Sequence, residues 1–383
     1  MIDYPAPSGV ILMIPHDLMR SGQPLRAIGA ISGTSMDGID VALVETDGRD
    51  HVVALGGATY SYPAALRAQL HEFLTAPERA ETEPLTELEE AVTDAFTAAI
   101  AAFLCEAPPA QGGVDLVGLH GQTVYHRPER RFTRQLGLGA RMARALRLPV
   151  VDGFRLADVS GGGQGAPLVP LYHAALARDL AKPLMVLNLG GVGNVTWLDG
   201  ERIIAFDTGP ASALIDDFVA RHFGVPFDKD GAIARQGTVD KAMLAQLLAN
   251  PFFAANPPKS LDRNDFHARA KIVSTLRPVD AVATLAAFTI EATAAALAHV
   301  PARPVRWLVA GGGRLNGFFM DGLGRRLGVP VEPVEVLGLE GDLIEAQCFG
   351  YLAVRSIQGL PLSLPTTTGV PGPMPGGRFW PAP

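Results

Sequence analysis

The stretch Ser32-Gly33-Thr34-Ser35-Met36-Asp37-Gly38-Ile39-Asp40 lies between two apolar runs, Ala27-Ile28-Gly29-Ala30-Ile31 and Val41-Ala42-Leu43-Val44. A strand, a tight turn of small and hydroxylated residues and a returning strand is the natural reading. Gly33 and Gly38 permit close approach of the backbone to a ligand and let its N–H groups point at an anion. Thr34 and Ser35 add hydroxyl donors, and Asp37 and Asp40 are carboxylates able to hold a cation or its waters. Ser32 to Ile39 thus describe a hairpin that could grip a phosphate. They equally describe an ordinary β-hairpin with a polar tip, and the stretch alone does not choose.

The pattern recurs. Met185-Val186-Leu187-Asn188-Leu189 reads as a strand, Gly190-Gly191-Val192-Gly193 as a glycine turn, and Asn194-Val195-Thr196-Trp197-Leu198 as the return. Two such units, each opening a half-chain, point to two lobes of related design facing one ligand. A third glycine turn, Gly311-Gly312-Gly313-Arg314-Leu315-Asn316, follows the strand Trp307–Ala310 and opens a helix, a place suited to a nucleotide. Between these turns, Ile203-Ile204-Ala205-Phe206 delivers Asp207-Thr208-Gly209-Pro210 at a strand end, ahead of a helix through Leu214 and Phe223. Asp207 is a turn aspartate or a fixed, partly desolvated carboxylate.

Elsewhere, Val114–Leu119 reads as a buried strand carrying His120-Gly121-Gln122-Thr123 at its carboxyl end, and Leu148–Asp152 as a strand carrying Phe154-Arg155. In α/β sheets ligands collect at such ends. Helices are expected from Tyr62, from Pro84 to Leu104, from an N-cap at Thr238, over Val279–His299 and over Leu343–Ile357. Lys259-Ser260-Leu261-Asp262-Arg263 is a polar loop of no evident purpose. The Pro/Gly/Thr-rich tail is expected to lack fixed structure.

Composition narrows the classes. The 383 residues are 48% hydrophobic and 19% charged, which fits a globular chain of two domains or three. A net charge of −7 with few clustered Lys or Arg argues against nucleic-acid or anionic-membrane partners. No apolar run reaches transmembrane length, and Val10–Ile14 has neither a basic flank nor a cleavage site, so residues 1–25 read as a loose extension. Cys105 and Cys348 read as buried hydrophobes of a reducing compartment, and a cytoplasmic location is expected. Gly161, Gly163 and Ala166 could be forced into a dinucleotide fingerprint, but no strand runs directly into them and Pro167 stands where the helix should be under way, so a flexible or substrate-lining loop is the expected reading. There is no P-loop, and Asp37 stands where a serine nucleophile elbow requires glycine, which discounts Ser35 as a nucleophile. His120 and His126 have no carboxylate at a metal-ligand spacing.

Taken together, the glycine turns and the strand-end aspartate point to an α/β, two-lobed actin/hexokinase-like fold of ribonuclease H-like lobes with an ATP cleft between them. The expected division is 26–150, completed by about 350–370, for the first lobe and 151–349 for the second. From about Ala27 to Gly369 the sequence also resembles one family, the anhydro-N-acetylmuramic acid kinases. The resemblance is carried in order by Ser32–Asp40, His120–Thr123 with His126 and Pro128, Phe154-Arg155, Gly162–Pro170 and Asn188–Asn194. It continues through Phe206–Pro210, Phe227–Gly231, Pro258-Lys259-Ser260 with Arg263 and Phe266, Gly311–Gly313 with Asn316, and Glu345-Ala346.

The resemblance implies an ATP- and Mg²⁺-dependent enzyme of cell-wall recycling, with Asp207 as catalytic base. Nucleotide contacts would fall on Ser32, Gly33, Thr34, Ser35, Met36, Asp37, Gly38, Ile39, Gly190, Gly191, Asn194, Gly311, Gly312, Gly313 and Asn316. The sugar would meet His120, Gln122, Thr123, Arg155, Gln164 and Pro167, and Mg²⁺ would sit at Asp37, directly or through water. A homodimer is also implied. Three departures bear on substrate identity. Leu156 and Ala157 replace arginines usual after Phe154-Arg155, Ser212 stands where Asn is usual, and Leu138 replaces an acidic or amide residue. A kinase for a simpler anhydrosugar such as levoglucosan, and a non-catalytic actin-like ATP-binding protein, are the alternatives.

Overall fold

The computed structural model describes residues 23–33, 36, 38–107, 112–261 and 266–383. Among these residues twelve strands run in chain order: β1 (Leu25–Ser32), β2 (Ile39–Thr46), β3 (Val52–Tyr60), β4 (Leu116–Arg127), β5 (Phe132–Leu136), β6 (Val150–Asp152), β7 (Leu184–Leu189), β8 (Val192–Asp199), β9 (Arg202–Pro210), β10 (Arg306–Ala310), β11 (Val331–Pro333) and β12 (Arg378–Trp380). They form two mixed sheets, ordered β12-β6-β4-β1-β2-β3, with β5 on β4, and β11-β10-β7-β8-β9. In each, an antiparallel three-strand meander is followed by two strands parallel to its first. Set aside β5 and β12, and the two sheets repeat one plan.

The chain divides into two units, one running to Arg178 and taking in Leu343–Pro365 and Gly369–Pro383, the other spanning Asp179–Asp342 with Thr366–Thr368. In the first, the helix Ile344–Ile357 lies backbone-to-backbone on the sheet. A Cβ on Gly29 of β1 would meet Ala346 O at 1.8 Å and Gly350 N at 2.4 Å, and one on Gly118 of β4 would meet Phe349 O at 2.1 Å. Gly29→Ala is expected to destabilise the protein by about 3 kcal/mol or more, read in a denaturant titration, because backbone cannot step aside as a side chain can. An unchanged midpoint would contradict this packing. In the second unit the meander closes over Trp197, Phe206, Phe288 and Trp307, all fully buried.

Several expectations need correction. β4 does not end at Leu119 but continues to Arg127, because β5 folds back and pairs with its second half from Gln122↔Leu136 onward. Thr238 is not a cap: the helix Lys241–Leu248 is capped by Asp240, whose Oδ1 accepts from Met243 N at 2.9 Å. Cys105 is exposed near the end of the helix Thr86–Glu106, whereas Cys348 is buried. The segment Pro278–His299 is long and apolar enough to cross a membrane by length and composition, yet 72% of its apolar window is buried, as the core helix of the second unit.

The tail is structured rather than loose. β12 pairs with β6, and Asp152 on β6 accepts from Arg378 Nε at 2.9 Å and Trp380 Nε1 at 3.0 Å. A buried carboxylate with two such donors fixes an otherwise Pro/Gly-rich segment.

Candidate active site

In the first unit the opening hairpin forms as expected. Gly33 O accepts from Met36 N at 3.1 Å and from Gln122 Nε2 at 3.2 Å, tying the turn to β4. Ser32 ends β1, and the side chains of Met36 and Ile39 are buried in the core, so only their backbone is available to a ligand. Gly38 is required by β3: a Cβ there would meet Thr59 Cγ2 at 2.5 Å. Asp40 Oδ1 accepts from Thr59 Oγ1 at 2.6 Å. Thr34, Ser35 and Asp37, and with Asp37 the expected metal ligand, lie outside the described residues.

The residues expected to meet the sugar gather around a bulge. Ala30 faces Leu119 while Ile31 faces Gly121, so His120 is the extra residue of β4, and Gly121 takes φ +76°. Bulges turn a side chain out of the regular pleat. Arg155 Nε donates to His120 Nε2 at 2.9 Å, and Arg155 Nη1 donates to Gly165 O at 2.7 Å. A guanidinium only donates, so Nε2 is the unprotonated nitrogen, and Nδ1–H donates to Gly121 O at 3.0 Å. Burial, with the Arg155 charge beside it, holds His120 well below the usual histidine range, as a neutral imidazole.

The 158–165 loop is fastened to the same cluster. Asp158 Oδ1 accepts from Gly165 N at 2.6 Å, Asp158 Oδ2 accepts from Ser363 Oγ, and His126 Nε2 donates to Gln164 O at 2.9 Å. Gln122 is committed to the fold, accepting from Tyr62 Oη at 3.2 Å as well as holding Gly33. Thr123 Oγ1 accepts from Gln135 Nε2 at 3.3 Å, and Pro167 is half-buried in the loop leading to the helix Pro170–Leu176.

In the second unit the turn between β7 and β8 is Gly190-Gly191 alone, with Gly193 and Asn194 already on β8. Gly190 O accepts from Ser212 N, and Gly191 O from Ala211 N, both at 3.0 Å, at the start of the helix Ala213–Phe223. In a trans peptide the N–H opposes the carbonyl, so the Gly191 and Val192 N–H groups are turned away from that helix. Asn188, Asn194 and Asp207 face one another across β7, β8 and β9. Asn194 Oδ1 is buried with no hydrogen-bond partner among the described residues.

Asp207 is half-buried, and its Oδ2 accepts from Leu261 N at 2.8 Å while its own N–H donates to Lys259 O at 3.0 Å. Burial pushes its carboxyl up to about 7, against the opposing pull of the Leu261 hydrogen bond and the Lys259 charge. A carboxyl raised to that range is able to exchange a proton near neutral pH.

The third glycine turn is a 3-10 turn, Gly312–Leu315, leading to the helix Gly317–Leu327. Gly311 has φ +75°, and Gly313 packs on Leu189, while a Cβ on Gly312 would meet nothing within 4 Å. Asn316 caps the helix, its Oδ1 accepting from Phe318 N at 3.0 Å. Sequence reasoning passed over Arg314. It is buried, donates to Gly311 O at 3.1 Å and forks onto Asp342 at 2.6 and 3.0 Å, with Glu335 at 2.7 Å, bracing the turn.

A duplicated meander-plus-two-strand sheet, with glycine turns opening each unit, defines a protein of the actin/hexokinase-like fold. Residues 25–382 match the family described as Anhydro-N-acetylmuramic acid kinase, and the chain belongs to that family. A relative of that description from Rhodospirillum rubrum is 51% identical over 371 residues, covering 96% of this chain and 97% of its own length. Another, from Acidiphilium cryptum, is 52% identical over 361 residues, covering 93% and 98%. Among solved structures, the activator of the 2-hydroxyisocaproyl-CoA dehydratase from Clostridium difficile has a TM-score of 0.44 at 10% identity, over 86% of this chain and 94% of its own, too distant a likeness to bear on the site.

Proposed function

We propose that the protein opens the 1,6-anhydro ring of anhydro-N-acetylmuramic acid with water and phosphorylates O6 with ATP, giving N-acetylmuramic acid 6-phosphate and ADP. The observation that carries the roles is Asp207, a base-like carboxylate fixed by Leu261 N–H beside the unpartnered Asn194 Oδ1. Asp207 takes a proton from water as the water oxygen attacks C1. The C1–O6 bond breaks, O6 takes the γ-phosphoryl group, and the bond to the β-phosphate oxygen breaks to release ADP. A glycosidase that inverts needs a separate acid for its leaving oxygen. Here phosphoryl transfer captures that oxygen, so one carboxylate suffices.

The open Gly312 position and the outward Gly191 N–H leave room and donors for the nucleotide. The hairpin from Ser32 to Ile39 would take its phosphates. A bound Mg²⁺ would neutralise phosphate charge, held by a hairpin carboxylate together with the phosphates. The family resemblance assigns it to Asp37, directly or through water. His120, held neutral, and the loop bearing Gln164 and Pro167 would line the sugar side, in a cytoplasmic homodimer.

The test is ADP release by the purified protein with ATP and either anhydro-N-acetylmuramic acid or levoglucosan. Turnover strongly favouring the first is the expected result. Equal or better turnover of levoglucosan would move the substrate to a simpler anhydrosugar, and ATP binding with neither sugar turned over would leave a nucleotide-binding protein.

A further inference from the structure

The loop at Lys259 acquires a purpose in the structure. β9 is an edge strand, and an edge strand presents unpaired backbone groups. Residues 259–261 cover that edge at Asp207: Lys259 O takes the Asp207 N–H, and Leu261 N–H takes Oδ2. The Lys259 side chain anchors this strap. Its Nζ donates to Phe252 O at 2.9 Å and to Phe253 O at 3.4 Å, and lies 4.7 Å from the Phe252 ring centroid and 5.6 Å from that of Phe206. Phe206 immediately precedes Asp207, so the ammonium is packed against the strand that carries the base.

We propose that Lys259 is the positioning residue of Asp207, anchoring the strap that orients the carboxylate and placing a positive charge behind it. The inference rests on Asp207 being the base. The groups around it fit. From the sheet, Asn188 and Asn194 face Asp207 and carry no charge. From the end of the core helix, His299 Nε2 lies 2.8 Å from Phe253 O and 3.3 Å from Lys259 Nζ. A carbonyl only accepts, so that nitrogen carries the proton and gives the ammonium no acceptor. The cation rests on two carbonyls and aromatic faces, a weakly solvated place. Burial accordingly brings Lys259 down to about 8, the Asp207 charge opposing the fall. Removing the lysine charge would make the ionised form of Asp207 harder to reach.

The experiment compares kcat/KM against pH for the wild type, Lys259→Met, Lys259→Gln and Lys259→Arg, with thermal melting and ATP affinity alongside. Lys259→Met is expected to move the acid limb of kcat/KM up by about one pH unit, which lowers kcat/KM about 5-fold at pH 7. Lys259→Arg should hold the limb near its wild-type position. Lys259→Gln keeps a donor for the Phe252 and Phe253 carbonyls without the charge, and should show the shift even if the methionine variant does not fold. An unmoved limb in the folded uncharged variants would overturn the proposal. The dependence on the base assignment is separable. Wild-type turnover in Asp207→Asn removes that assignment, whereas a slow Asp207→Asn with an unmoved limb in Lys259→Gln removes only the role of Lys259.

Discussion

Asp207→Asn is expected to lower kcat by roughly 10²–10⁴-fold, with ATP affinity nearly unchanged. The substitution is close to isosteric, and the amide oxygen can still accept from Leu261 N–H, so the geometry of the strap survives. What disappears is the proton acceptor. Near-wild-type turnover would show that another group activates the water. The same variant carries a stability signature of opposite sign. Asp207 has its carboxyl raised from 3.8 to about 7 in the folded protein, so folding favours its protonated form. The stabilising contribution of the proton is complete below pH 4 and is lost as pH rises through 7. That difference corresponds to about 4 kcal/mol as an upper figure. Asparagine stays neutral throughout, so Asp207→Asn should melt above the wild type at pH 8 and level with it near pH 4. An enzyme made slower and firmer by one change is the expected behaviour of a desolvated base. Equal melting temperatures at both pH values would contradict its burial.

Gly311→Ala is expected to raise KM for ATP by about 10–100-fold, through backbone strain of roughly 1–3 kcal/mol in the turn. Gly311 sits at φ +75°, and an added Cβ would stand 2.4 Å from Asn188 Oδ1 and 2.7 Å from Leu189 O. The turn cannot relax outward, because Arg314 ties the Gly311 carbonyl to Asp342 and Glu335. Gly312→Ala is the matched control. Its Cβ would meet no protein atom, so its melting temperature should stay at the wild-type value. Any loss of ATP affinity in that control would then come from the ligand's side of the turn. An unchanged KM in Gly311→Ala would take the nucleotide away from this turn.

Much of this was legible because periodicity and glycine placement are local signals. The strands around Ser32–Asp40 and Gly190–Asn194 and the glycine turn at Gly311 follow from adjacent residues, as does the strand before Asp207, although it runs on through Pro210 and so holds Asp207 within it rather than at its end. Pairing across long separations was not legible. β4 runs past His120 because β5 returns to pair with it, and the bulge that turns His120 toward Arg155 exists only in register with β1. The tail looked unstructured by composition, yet Asp152 supplies its partners from far upstream. Lys259 followed the same logic. Its neighbours Phe252 and Phe253 were visible, but that Asp207 lies beneath the strap depends on the edge of β9. Asn316 and Gln122, expected to touch ligands, are also committed to capping a helix and to holding a turn. A polar side chain beside a glycine turn carries either role with the same residue type.

The helix Ile344–Ile357 that rests on Gly29 and Gly118 has a consequence for synthesis. Strands β1 to β6 emerge from the ribosome first, but the helix that covers them arrives only after the whole of Asp179–Asp342 has been made. The second unit is almost continuous in the chain and can close its core as it appears. The first must hold an uncovered apolar sheet face through that interval, the situation in which nascent chains depend on chaperones. The unit begun first is therefore completed last.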